Sequence, residues 1–144
     1  MTKIHFFTED IHYRLRDIRK ARSWILAAIL KEGGKLENIN FILTSDSFLH
    51  KINVEHLGHN TYTDIITFEY NDMGNPILSD IYISIDRCRE NAKEYKVNLE
   101  TEIRRILIHG VLHLLGYKDK TKSEKKVMTS KEDYYLSLHP KFIR

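Results

Sequence analysis

His109 and His113 stand four residues apart in the run Ile108-His109-Gly110-Val111-Leu112-His113-Leu114-Leu115-Gly116-Tyr117, and Asp119 follows six residues after the second histidine. On an α-helix, residues four apart differ by about 40° around the axis and about 6 Å along it, so both imidazoles can reach one ion. Gly116 is free to take a left-handed conformation, which ends the helix and turns Asp119 back toward the same point. Two nitrogens and one carboxylate oxygen suit zinc. Three protein ligands rather than four leave a position open to water, the pattern of a catalytic ion. The expected metal ligands are therefore His109, His113 and Asp119.

The metalloprotease pattern His-Glu-x-x-His places a base beside the first histidine, and here that position is Gly110, which disfavours peptidase chemistry. Glycine there instead allows a neighbouring segment to approach the helix closely. Glu102 lies two turns before His109 on nearly the same face, a candidate for bonding a ligand's second nitrogen or moving a proton. The alternative is an ordinary first-turn acid. His5, His12, His50 and His139 read as ordinary histidines.

These residues need a scaffold. Asn98 can cap a helix over Leu99 to Leu115, with Glu100 and Glu102 near its positive end, and its nearly all-round apolarity predicts a buried central element. A strand at Ile4 to Phe7 precedes a helix from about Tyr13 to Lys31, ended by Gly33-Gly34. Ile39, Phe41 and Leu43 mark a second strand, after which Ser45 or Asp46 caps a short helix toward Val54. His56 to Tyr62 reads as loop. Asp64 to Tyr70 and Leu78 to Ile85 form an antiparallel hairpin across Asn71 to Pro76. Asp86 caps a helix to about Tyr95, and Thr121 with Glu124 forms a capping box that opens a last helix toward Leu138.

The chain has 144 residues, 42% of them hydrophobic, which fits a single domain over residues 1–144 with a proper core. Its net charge of +3, from 23 basic and 20 acidic residues, permits an anionic partner without the excess of a cationic tail. The one cysteine, Cys88, excludes an intrachain disulfide. No signal-peptide pattern and no membrane-length apolar run occur, so a soluble, cytoplasmic protein with no membrane partner is expected.

His109 to Tyr117 resembles the hallmark His-Gly-x-Leu-His-Leu-x-Gly-Tyr of the YbeY family of ribosomal RNA maturation factors at every fixed position. Thr63-Asp64-Ile65-Ile66-Thr67-Phe68 resembles that family's Thr-Asp-Val-Leu-Ser-Phe, Ser79-Asp80-Ile81 its Gly-Asp-Ile, and Met128 and Glu132 also fit. The match spans roughly Asn53 to Leu136. The family usually has Asp-His where this chain has Lys118-Asp119, so Asp119 takes the place of the third histidine ligand. The family's phosphate-engaging arginine falls on Leu57, flanked by His56 and His59, and His59 is a catalytic candidate. Thr63 and Asp64 read equally as site floor and as a turn device.

The resemblance implies an α+β fold, a four-stranded mixed sheet with about five helices and the histidine helix central. It also implies a single-strand-specific, zinc-dependent endoribonuclease acting in small-subunit rRNA 3′-end maturation and ribosome quality control. Its partners would be single-stranded RNA, an rRNA precursor and the small ribosomal subunit, and its cofactor one zinc ion or another divalent metal. Lys118, Lys120 and Lys122, with Lys125 and Lys126, begin beside Asp119 and are candidates for an RNA-backbone track, as are Arg14, Arg16, Arg19, Lys20 and Arg22. Tyr62, Tyr70 and Tyr117 could stack bases, although tyrosines more often serve core or hairpin. Rival expectations are a non-catalytic, metal-stabilised ribosome-assembly factor and a metal hydrolase of a small substrate.

Overall fold

Apolar side chains at alternate positions mark the strands, and the face they share decides the layering. The computed structural model describes residues 2–139. It pairs β1 (Ile4–Glu9), β2 (Leu36–Thr44), β3 (Ile65–Glu69) and β4 (Ile77–Ser84) into one sheet, in the order β1-β2-β4-β3. β2 runs parallel to both β1 and β4, while β3 closes the far edge antiparallel to β4, with Ile65 opposite Ile83 and Glu69 opposite Ser79. The sheet is mixed, and its hairpin is the one its turn residues imply. Asn71 Nδ2 donates to the Pro76 carbonyl at 2.8 Å across the loop. Among the described residues five helices complete an α+β fold: α1 (Ile18–Lys31), α2 (Asp46–Leu57), α3 (Ile85–Tyr95), α4 (Leu99–Leu114) and α5 (Lys122–Leu138).

α4 is the central element. Ile103, Leu107, Ile108, Val111 and Leu112 on this helix are fully buried, in one cluster with Ile39, Phe41, Ile81 and Ile83 of the sheet. Each such side chain contributes about 1.5–3 kcal/mol on removal from water. Gly110 permits the close seat: a Cβ there would lie 2.9 Å from Ile65 Cδ1 and 3.4 Å from Ile81 Cδ1. The side chain of Asn98 caps the start, accepting from Thr101 N at 2.8 Å. At the other end Gly116 takes φ 107°, and Tyr117 N and Gly116 N donate to the Leu112 and His113 carbonyls, both at 3.1 Å. That pair of bonds is a Schellman motif, and it turns the chain back toward the helix.

Three boundaries differ from expectation. α1 starts at Ile18 rather than near Tyr13, because Leu15 is buried and Tyr13 partly buried by tertiary packing from an irregular segment, which mimics helical periodicity. α3 is capped by Ser84, whose Oγ accepts from Arg87 N at 3.1 Å, and not by Asp86. β4 runs into α3 with no loop, so the last strand residue must cap, and Asp86 instead accepts from Asp46 N at the start of α2. α2 continues to Leu57 before Gly58 ends it at φ 67°, so His56 and Leu57 lie in a helical turn and not in a loop.

Candidate active site

α4 presents His109 to two other elements. Its Nδ1 lies 2.6 Å from Glu132 Oε2 on α5, and its Nε2 lies 3.3 Å from Asp119 Oδ2 in the connection that follows the α4 turn. Glu132 is 6% exposed, and its other oxygen accepts from Arg105 Nη1 at 3.0 Å. Arg105 in turn bonds Asp133 at 3.0 Å and comes within 4.0 Å of Glu102. The imidazole is thus fixed on one nitrogen by a buried, counter-charged carboxylate, which orients the other nitrogen toward Asp119. Burial alone would push the His109 pKa down, but the bond and charge of Glu132, with the charges of Asp119 and Asp64, outweigh it and raise the value above the ordinary one.

The donor set fits a divalent ion at two points. Ligands 2.0–2.1 Å from a tetrahedral ion must stand about 3.3 Å apart, and this is the His109–Asp119 separation. The carboxylate-backed histidine is the arrangement that raises ligand basicity at metal centres. His113 lies one turn further along α4, on the same side by helix geometry. In these rotamers the three side chains do not close into one cluster, and no group of three His, Cys, Asp or Glu among the described residues does.

Behind His109 lies a group of acids. Glu102 is 3% exposed and its Oε1 has no hydrogen-bond partner among the described residues, so it is no solvated first-turn acid. Burial raises its pKa, opposed by Arg105 and reinforced by Asp64 and Glu132. Asp64, at the entry to β3, has Oδ2 3.5 Å from Asn91 Nδ2, and burial raises its pKa against the pull of His109. Glu132, not Glu102, holds the second nitrogen of His109. In the sequence Glu132 stands out only as part of a motif, yet it carries a signal: Met128, Glu132 and Tyr135 form one buried stripe, and an acid there needs a partner.

The other candidates scatter. His59 is exposed beyond α2, with its backbone N on the Asn53 carbonyl, and the exposed Leu57 lies in the last turn of α2. Lys118, Lys120 and Lys122 are exposed around Asp119. Two of the α1-side cations have structural employment, Arg16 with Glu100 at 3.4 Å and Arg22 on the Ile4 carbonyl at 2.9 Å. Tyr62 stacks on His50 at 4.1 Å, Tyr70 bonds Asp80 and Tyr117 bonds Glu32.

An α+β protein whose buried central helix carries a carboxylate-backed histidine facing an acid just past the helix end is the class that fold and site define. Residues 3–139 match the family model described as Endoribonuclease YbeY, and the chain belongs to that family. It is 44% identical over 136 residues to the Endoribonuclease YbeY of Christiangramia forsetii, covering 94% of each chain. It is likewise 44% identical over 133 residues to that of Amoebophilus asiaticus, covering 92% of this chain and 90% of the relative. The solution structure of TM1509 from Thermotoga maritima superposes with a TM-score of 0.68 at 26% identity, covering 94% of this chain and 88% of that one.

Proposed function

We propose that the chain is a metal-dependent, single-strand-specific endoribonuclease of the cytoplasm, acting on an rRNA precursor of the small ribosomal subunit in 3′-end maturation and quality control. Membership of a family whose relatives bear the name endoribonuclease supports RNA as substrate. The observation that carries the reading is His109 held between Glu132 and Asp119. His109, His113 and Asp119 would hold one divalent ion, zinc by donor chemistry, which when bound polarises a phosphodiester oxygen and lowers the pKa of water from 15.7 to about 7.

The chain's own side chains supply the rest. Glu132 keeps the Nδ1 proton of His109 in place and so leaves Nε2 as the donor atom. Arg105 holds Glu132 in position through a 3.0 Å bond. Lys118, Lys120 and Lys122 attract and place the phosphate backbone around Asp119. No helix of the described residues is long and apolar enough to cross a membrane.

Purified protein on single-stranded and duplex RNA, with and without chelator and beside His113→Ala, tests the reading. Cleavage of single strands that chelator and His113→Ala both abolish is expected, and equal cleavage by wild type and variant refutes it. The termini of the products separate attack by water from attack by the ribose 2′-hydroxyl. Tight RNA binding with no metal-dependent cleavage would favour an assembly factor instead.

A further inference from the structure

Asp119 is carried by the irregular connection between α4 and α5, and a ligand must be held to within about 0.5 Å to be effective. Backbone bonds of Gly116 and Tyr117 secure one end of that connection, and the reciprocal Thr121–Glu124 capping box secures the other. A third tie comes from the far end of α1. Glu32 accepts a 2.5 Å bond from the Tyr117 hydroxyl on Oε1, and bonds from the Tyr135 hydroxyl and from Lys131 Nζ, the latter at 3.2 Å, on Oε2. Its side chain is only 12% exposed. Two residues on, Gly34 lies so close to the end of α4 that a Cβ there would fall 2.7 Å from Leu115 Cδ2.

An acid at a helix C-terminus opposes the macrodipole, so α1 itself does not explain Glu32. Burial pushes its carboxyl up, but the bonds from Tyr117, Tyr135 and Lys131 outweigh it and hold the pKa below the ordinary value. One ionised carboxylate therefore ties Tyr117, two residues before Asp119, to the α5 turn that follows Glu132. α5 has other anchors: Trp24 Nε1 donates to the Tyr135 carbonyl at 2.7 Å, and Glu132 is bound to Arg105. The Asp119 connection leans on Glu32 more heavily, because apart from the contact of Asp119 itself with His109, the Tyr117 hydroxyl is its side-chain hydrogen bond to another element among the described residues.

We propose that Glu32 is a positioning residue for Asp119, acting through the Tyr117 hydroxyl to set where the carboxylate facing His109 stands. The proposal rests on the metal-dependent reading above. Tyr117→Phe and Tyr135→Phe each remove one O–H···O bond to the same carboxylate, but only the first lies on the Asp119 connection. Titration of each purified protein with cobalt(II), read by its visible absorption, is expected to show about tenfold weaker binding and an altered spectrum for Tyr117→Phe, and binding within about twofold of wild type for Tyr135→Phe.

Glu32→Ala should weaken binding at least as much as Tyr117→Phe, with partial rescue in Glu32→Gln, which keeps an acceptor oxygen. Wild-type cobalt affinity and spectrum in Tyr117→Phe, or an equal loss in Tyr135→Phe, overturns the positioning role. Should Tyr117→Phe not fold, Glu32→Gln against Tyr135→Phe carries the same comparison. Wild-type protein that takes up no more cobalt than His113→Ala refutes the metal reading itself, and that result is visible before any Glu32 or Tyr117 variant is compared.

Discussion

Replacing Glu132 by glutamine tests the centre most directly, because it preserves shape and removes one charge. The carboxylate makes two charge-assisted bonds, 2.6 Å to His109 Nδ1 and 3.0 Å to Arg105 Nη1, with a side chain only 8% exposed. Hydrogen bonds to charged groups contribute about 1.5–3 kcal/mol each. Glutamine can keep one acceptor for one of the two donors, so about half is retained and a loss of about 1.5–3 kcal/mol in stability is expected. Arg105 is then left with the exposed Asp133 and with Glu102 at 4.0 Å. Asp133→Asn, which breaks the more solvated bond of the same arginine, should cost less than about 1 kcal/mol.

Function should separate the two variants further. A carboxylate behind a ligating histidine typically accounts for about 10–100-fold in metal affinity or activity, so Glu132→Gln should lose that factor in zinc affinity by chelator competition. Asp133→Asn should keep wild-type affinity. Denaturant melts alongside the zinc titration give both quantities from the same preparations. Unchanged zinc affinity in Glu132→Gln, or equal losses in the two variants, would refute the claim that Glu132 orients His109.

Gly110→Val should destabilise by about 1–3 kcal/mol, since its Cβ would start 2.9 Å from Ile65 Cδ1, and Ile65→Ala should recover part of the loss in thermal melts. Changing Lys118, Lys120 and Lys122 together to alanine should weaken single-stranded RNA binding and flatten its log-affinity against log-salt slope by about 2, with the melting temperature unmoved; an unaltered slope would take these lysines off the RNA path. His139 is buried against Trp24 at 4.9 Å, and burial, with the charges of Arg104 and Lys20, lowers its pKa below 6.5 against the pull of Asp17. A lowered folded-state value means its contribution is present above 6.5 and lost as pH falls through the folded value. The melting temperature should therefore drop more from pH 7 to below 6.5 in wild type than in His139→Phe, and parallel profiles would count against it.

Local patterns were legible without a fold. The capping pairs Asn98 with Thr101 and Thr121 with Glu124, the glycine turn at Gly116 and the hairpin from Asn71 to Pro76 all depend on residues a few positions apart, and each is found where its chemistry puts it. The all-round apolarity of α4 likewise implied its burial. Periodicity misled at Tyr13 and Leu15, where side chains buried by distant contacts imitate a helical stripe. Asp86 has the residue type of a cap but not its position, because no local rule says that β4 joins α3 without a loop.

The amino-acid order alone named the candidate ligands and the elements that carry them, because helix period, caps and turns act over one or two turns of chain. Only the tertiary structure decided their company. Glu132 reaches His109 from 23 residues away and Glu32 reaches Tyr117 from 85, and those meetings follow from how α1, α4 and α5 pack together. A buried carboxylate must find donors somewhere in the fold, but which donors depends on packing that no short-range pattern encodes.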